Sequence, residues 1–498
     1  MSEIEARLAE LERLGLSRRL RLISGPQGPT VLLDGRPVLL LCSNNYLGLA
    51  DHPRVREAAA DAATRWGVGA GASRLVSGTM TIHRRLEERL AAFEGSEAAL
   101  LFGSGYLANI GVIGALAGQG DTIFSDELNH ASIIDGCRLA DAEVVVYRHR
   151  DVEHLAWSMA RHGRGGRLIV TDTVFSMDGD VAPLAEIAEL AASYGARVVA
   201  DEAHATGNLG PGGRGAVAQA GLEGEIDVVI GTLGKALGSY GAYACASAEM
   251  VRYLINTARP LIFSTAPPPP AVAGALAALE LMAERPHRVQ RLRANARTLR
   301  GALADEGFPV ADVEMHVVPL IVGEDAAAMR LCQEAIERGV FAQAIRPPSV
   351  PAGASRLRLT VMASHTASEL RKAARVLGEA ARELGLSPEA MTPGLVERQL
   401  ELEREEAELA RLAAIADASP YEHGSYGRER QLDGLVPARS PAGPSAAAPS
   451  LAAPSTAAPF DLERDGEPVP STVAARADAP AESAPFDFEA EFSDARAA

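Results

Sequence analysis

Of the 48 lysines and arginines in this 498-residue chain, only Lys235 and Lys372 are lysines. Arginine replaces lysine well on a wet surface, but it cannot lose its proton and attack a carbonyl. Lys235 stands in Gly231-Thr232-Leu233-Gly234-Lys235-Ala236-Leu237-Gly238, a glycine-rich turn that follows the apolar run 228–232. A lysine kept there points to imine chemistry; the alternative is a lysine left by chance on the surface. A lysine that holds an aldehyde cofactor needs companions. An acid must pair with a ring nitrogen so that the ring can take up electrons. Asp201 fits, because it ends the apolar run 197–200 in Asp201-Glu202-Ala203-His204. A flat side chain should stack on the ring, and His130 in Leu128-Asn129-His130-Ala131-Ser132 is a candidate. A phosphate needs backbone N–H groups at a glycine turn entering a helix. Gly103-Ser104-Gly105-Tyr106 offers that turn, and Thr232 adds a hydroxyl. Singly these features are weak, since a strand-end Asp is common and a lone His is more often structural. Together with the lysine they are specific.

The elements that must position these residues follow from periodicity. Short apolar runs at 98–102, 121–125, 144–147, 168–171, 197–200, 228–232 and 242–246 alternate with helical patterns such as 184–194. Fully apolar strands alternating with helices predict an α/β fold, a parallel sheet covered on both faces. In such sheets ligands bind beyond the carboxyl ends of the strands, where Ser104, Asp201 and Lys235 all fall. Before this region, 1–22 reads as a helix, and runs at 31–33 and 38–41 flank Asp34-Gly35, a hairpin signal. A helix is predicted at 53–66 and another at 82–93. Between them Gly67, Gly69, Gly71 and Gly78 predict backbone passing close to something. A proline run ending at 270 marks a boundary. Beyond it, helices at 271–284, 289–306 and 367–384 and strands at 317–322, 339–345 and 356–361 predict a smaller α+β domain.

The domains expected are therefore 1–50 (helix and hairpin), 51–265 (large cofactor domain), 266–392 (small domain) and 393–498 (tail). The tail holds 20 acidic and 9 basic residues, a net of −11 out of the chain's −17. The acidity thus belongs largely to the tail and argues against a nucleic-acid surface. A charged helix is predicted at 395–416 and disorder over the Pro/Ala/Ser-rich 439–459. Pro459-Phe460-Asp461-Leu462-Glu463 and Pro485-Phe486-Asp487-Phe488-Glu489 echo each other, either by chance in a biased segment or as a twice-used docking peptide for an unknown partner. The four scattered cysteines have no metal-ligand spacing and read as small buried thiols. No metal is expected. With no apolar leader and no run long enough to span a membrane, the expectation is a cytoplasmic protein.

From about 18 to 385 the chain resembles the α-oxoamine synthases, fold-type I enzymes dependent on pyridoxal 5'-phosphate. The motifs that carry the resemblance are Ser-Asn-Asn-Tyr-Leu-Gly-Leu (43–49), the glycine stretch at 67–78, Leu-Asn-His-Ala-Ser (128–132), Val-Phe-Ser-Met-Asp-Gly-Asp (174–180), Asp-Glu-Ala-His-Ala-Thr-Gly (201–207), the Lys235 turn, and Arg-Leu-Arg-Leu-Thr (356–360). The resemblance implies a mostly parallel seven-stranded sheet and a homodimer with sites at the subunit interface. It assigns the imine to Lys235, the ring nitrogen to Asp201, stacking to His130, and the phenolic oxygen to Ser176 and His204. Ser104, Gly105, Tyr106 and Thr232 would hold the phosphate, with Ser264 or Thr265 reaching it from the partner subunit. Asn44 and Arg358 would meet the substrate carboxylate. Two of these have plain alternatives: a turn serine at 176, and at 358 an outward strand arginine paired with an acid.

Ala344-Ile345-Arg346-Pro347-Pro348-Ser349-Val350-Pro351 is similar to the branch that condenses L-alanine with a pimeloyl thioester, on coenzyme A or acyl carrier protein, to give 8-amino-7-oxononanoate for biotin synthesis. Arg18 also matches an arginine of that branch. Two further arginines suit a dicarboxylic acyl chain; as alternatives, Arg18 is a surface helix charge and Arg346 packs a loop. Sister activities using glycine with an acetyl or other thioester, another reaction class such as an aminotransferase, and a non-enzymatic scaffold are the rival expectations.

Overall fold

The structure is a computed structural model that describes residues 2–391 apart from 14–15, 164 and 312–314. The predicted tail features at 395–416 and 439–459, and the paired pentapeptides, lie outside the described residues.

The chain opens with α1 (Glu3–Arg13), followed by β1 (Ile23–Ser24), β2 (Thr30–Leu33) and β3 (Arg36–Leu40). The helix expected over 1–22 is therefore shorter, and Arg18 lies in irregular chain beyond it. No residue of α1 is buried. Among the described residues its leucines meet no burying surface, and three turns is a marginal length for local propensity alone. Asp34-Gly35 does turn a hairpin, with φ of 49° and 81°. Positive φ at both central residues is what a two-residue hairpin turn requires.

Helices α2 (Pro53–Trp66) and α3 (Thr81–Glu94) lead into the large sheet. Its strands are β4 (Ala98–Phe102), β5 (Thr122–Asp126), β6 (Glu143–Tyr147), β7 (Arg167–Asp172), β8 (Arg197–Asp201), β9 (Val228–Thr232) and β10 (Ala242–Ala246). Between them run α4 (Gly105–Leu116), α5 (Ala131–Leu139), α6 (Val152–Arg161), α7 (Leu184–Tyr194) and α8 (Ala216–Ala220). The seven strands are ordered β4-β10-β9-β8-β7-β5-β6. Only β10 is antiparallel to its neighbours. The turn 233–241 is too short for a helical crossover, so the chain must return alongside β9 in the opposite direction. The apolar residues divide by pleat: Val228 and Ile230 join one core cluster and Val229 the other. This period of two is why each strand reads as continuously apolar when both faces are covered.

The rest comprises α9 (Ala248–Thr257), α10 (Arg259–Ile262), α11 (Pro269–Glu284), α12 (His287–Asp305), β11 (Val317–Gly323), α13 (Asp325–Glu337), β12 (Val340–Phe341), β13 (Gln343–Ile345), β14 (Ser355–Thr360) and α14 (Ala367–Glu383). Helix α14 starts with a capping box between Thr366 and Glu369. The strand expected at 339–345 is two strands. β12 joins the hairpin in a sheet ordered β1-β2-β3-β12, and β13 joins β11-β14-β13. The hairpin is thus continued by a strand from the C-terminal part of the chain. Among the described residues no helix is long and apolar enough to cross a membrane.

Candidate active site

Five strands deliver chemistry at one end of the large sheet. Asp126, Asp172, Asp201 and Thr232 are the last residues of β5, β7, β8 and β9, and Ser104 follows β4. The turn after Thr232 brings Lys235 back beside Asp201 and His204.

Lys235 Nζ lies 2.8 Å from His204 Nε2, and His204 Nδ1 lies 2.7 Å from the hydroxyl of the buried Tyr46. That hydroxyl donates to Asn44 Oδ1 at 3.0 Å, and Arg358 Nη1 donates to the same oxygen at 3.4 Å. The directions are fixed by chemistry. Asn44 Oδ1 can only accept, so Tyr46 spends its proton there and must accept from His204 Nδ1–H. The neutral imidazole then presents Nε2 as an acceptor to the Lys235 amine. Neutrality follows from the surroundings: burial, then the nearby Lys235 and Arg358 charges, holds His204 well below the usual histidine range. Burial also pushes the Lys235 amine down to about 8, against the pull of Asp201 and Asp172.

Asp201 is buried, and its carboxylate accepts from Asn109 Nδ2 at 2.6 Å and from the Ala203 amide at 2.8 Å. Asn109 Nδ2 also donates to Ser132 Oγ at 2.9 Å, and Ser132 Oγ lies 2.7 Å from His130 Nδ1. The Ser132 amide donates to the same nitrogen at 3.2 Å. With Nδ1 an acceptor, the His130 proton sits on Nε2. The His130 amide donates to Asp172 Oδ2 at 2.6 Å. Burial, with the nearby Asp201 charge, raises the Asp172 carboxyl well above the usual range. A wall of hydrogen bonds therefore joins His130 to Asp201.

Ser104 caps α4 by accepting from the Leu107 amide at 3.2 Å. A Cβ on Gly105 would meet nothing within 4 Å. The first turn of α4 thus presents amides to open space beside a hydroxyl, and a helix N-terminus of this kind suits an anion. Tyr106 turns its side chain away, donating to Asp135 at 2.5 Å, so toward an anion it has its backbone amide to give. Thr232 Oγ1 donates to the Gly241 carbonyl and accepts from the Gly234 amide, both at 3.2 Å. Ser264 and Thr265 lie against the glycine stretch of their own chain, through the Ser73–Thr265 bridge.

Arg358 is buried and reaches the Ser176 carbonyl through Nε, while its Nη2 has no partner. A buried, unpaired guanidinium nitrogen is costly unless an anion meets it. Arg346 donates to the Ser17 carbonyl at 2.8 Å, which sets it beside the exposed Arg18 stretch. Tyr46 and Asn109 escaped the sequence analysis as site residues, although Tyr46 stands inside a quoted motif. The sequence signal was only its place two residues from Asn44; its complete burial emerges with the fold.

These groups fit pyridoxal phosphate: an amine depressed by burial, a buried carboxylate linked to an imidazole through Asn109 and Ser132, and a hydroxyl-and-amide cradle at a helix start. Comparison with known proteins agrees. The model of the aminotransferase class I and II family matches residues 36–377. The 8-amino-7-oxononanoate synthase of Geobacter sulfurreducens is 52% identical over 77% of this chain and 99% of its own. That of Anaeromyxobacter dehalogenans (strain 2CP-1) is 53% identical over 74% and 92%. Among solved structures, serine palmitoyltransferase of Sphingomonas wittichii matches with a TM-score of 0.73 at 34% identity, covering 77% of this chain and 97% of that one. The 8-amino-7-oxononanoate synthase of Francisella tularensis, at 24% identity and a TM-score of 0.61 over 70% of this chain and 99% of that one, shares the fold. Fold and site define a fold-type I enzyme dependent on pyridoxal phosphate. The chain belongs to the aminotransferase class I and II family and, within it, to the α-oxoamine synthases.

Proposed function

We propose that the chain joins L-alanine to a pimeloyl thioester, on coenzyme A or acyl carrier protein, giving 8-amino-7-oxononanoate, carbon dioxide and free thiol. The near-full-length likeness to curated synthases of that product carries this reading. When bound, pyridoxal phosphate supplies an aldehyde carbon and an electron-accepting ring. Lys235 Nζ would hold that carbon. With alanine bound there, Lys235 would act as the base for the α-proton, and an amine at about 8 keeps a useful neutral fraction near neutral pH. It would also return a proton to the alanine α-carbon once carbon dioxide has left. Asp201 would pair with the protonated ring nitrogen, and His130 would cover the ring face. His204 and Ser176 orient the phenolic oxygen. Arg358, through its free Nη2, and Asn44 receive the alanine carboxylate. Arg18 and Arg346 meet the distal carboxylate of the acyl chain; the bond from Arg346 to Ser17 supports their working side by side.

The enzyme works as a cytoplasmic homodimer, with the partner's Ser264 and the partner's Thr265 on the phosphate. Exposed Val68, Leu75 and Val76 on the glycine stretch and exposed Phe263 support a subunit contact there, because the Ser73–Thr265 bridge joins the two segments.

Product analysis by mass spectrometry tests the reaction, with alanine and glycine each offered with pimeloyl, acetyl and longer thioesters. Alanine with the pimeloyl thioester is expected to give 8-amino-7-oxononanoate with equal carbon dioxide and thiol. Preference for glycine or another acyl chain overturns the substrate assignment, and an oxo acid formed without thiol release overturns the reaction class.

A further inference from the structure

His149 lies outside the constellation described above, yet it is tied to two segments of it. It is buried, and each ring nitrogen faces a buried carboxylate: Nδ1 to Asp126 Oδ1 at 2.9 Å and Nε2 to Asp180 Oδ2 at 2.6 Å. Carboxylate oxygens only accept, so both nitrogens donate and the ring is an imidazolium. Burial alone would lower its pKa; the hydrogen bonds and charges of Asp126 and Asp180 outweigh that and hold it at about 9. The Phe175 ring packs edge-on against it at 4.3 Å, and Arg150 Nη1 approaches Asp180 at 3.5 Å.

Each carboxylate organises a different piece of the site. Asp126 ends β5 and also accepts from the Leu128 amide at 2.9 Å, shaping the turn that delivers His130. Its other oxygen accepts from the Arg150 amide at 2.9 Å, and Arg150 adopts φ 58°. Positive φ is disfavoured in a non-glycine residue, so this link is held against local preference. Asp180 closes the turn that carries Ser176: its carbonyl accepts from the Phe175 amide at 3.0 Å, and Val174 pairs with Val181. The tip of the same turn is tied by Asp178 to Arg356 at 2.6 Å, two residues before Arg358.

We propose that His149 is a positioning residue of the active site, a charged strut between Asp126 and Asp180 that fixes the distance between the His130 segment and the Ser176 turn. This rests on the reading that those two segments flank the cofactor. No substrate or cofactor touches His149 in this scheme; it acts through its two neighbours.

Backbone hydrogen exchange on the full-length apo protein tests the strut. In H149Q the amides of 127–131 and of 174–181 are expected to exchange roughly tenfold faster or more, together, while those of β8 and β9 keep their protection. In D180N only 174–181 should loosen, because the bond to Asp126 remains. In parallel, titration of apo H149Q with pyridoxal phosphate should show affinity about tenfold weaker than wild type, equivalent to 1.4 kcal/mol. Unchanged exchange in either segment of H149Q overturns the proposal. So does loosening spread over the whole sheet, or loosening of both segments in D180N. If wild-type apo protein takes up no pyridoxal phosphate, the proposed function fails instead, and the exchange pattern still decides whether the strut exists.

Discussion

At the scale of single residues, the chemistry is set by an amine held at about 8 next to an imidazole held neutral. Below that pKa Lys235 is an ammonium without a lone pair. Capture of added pyridoxal phosphate by the apo protein should therefore speed up as pH rises from 6 to 9, with its midpoint near 8; stopped-flow absorbance measures it. The neutral tautomer of His204 depends on Tyr46. Replacing Tyr46 with Phe removes the acceptor for His204 Nδ1–H and lets the proton move to the nitrogen facing Lys235. Turnover is expected to fall roughly 100-fold with the fold intact, the lower end of what a positioned proton-transfer group contributes. Lys235, Asp201 and His204 could be found in the sequence because each sits in a compact motif at a strand end. Tyr46 and Asn109 could not be given roles there. Their partners His204 and Asp201 lie 158 and 92 residues away, and only folding brings them together.

At the scale of elements, strand ends and the turns between them do the placing. Six of the seven apolar runs were legible because burial leaves no polar alternation to confuse them; β6, at the sheet edge, reads as apolar although Val144 and Val146 are exposed. The break of 339–345 into β12 and β13 was not, since each half is defined by its own sheet partner rather than by its own residues. The expected length of α1 failed for the opposite reason: its leucine pattern is real, but nothing among the described residues buries it. The Ser176 turn and β14 are joined by the buried Asp178–Arg356 ion pair, with side chains only 5% and 3% exposed. Replacing Asp178 with Ala leaves Arg356 buried with one charge partner fewer. The expected loss is about 3–5 kcal/mol, read from the midpoint of denaturant unfolding. A loss below about 1 kcal/mol would mean that water or another group already shares that charge.

At the scale of the whole molecule, every residue assigned to the site lies between Arg18 and Arg358, ahead of the acidic tail. A chain ended after residue 391 is therefore expected to keep turnover within about twofold of the full chain, with the same product. A larger loss would place the tail in the reaction itself. In the composition the acidity rises after about residue 392, and the Pro/Ala/Ser-rich stretch follows from 439.

The whole assignment stands on the Lys235 amine, and one measurement reaches it directly. Pyridoxal phosphate is added to the purified protein, borohydride is added, and the digest is mapped by mass spectrometry. The reduced cofactor should be found on the peptide holding Lys235, and on no peptide of a folded Lys235→Ala variant. Cofactor fixed at Lys372, or nowhere, would contradict the site described here.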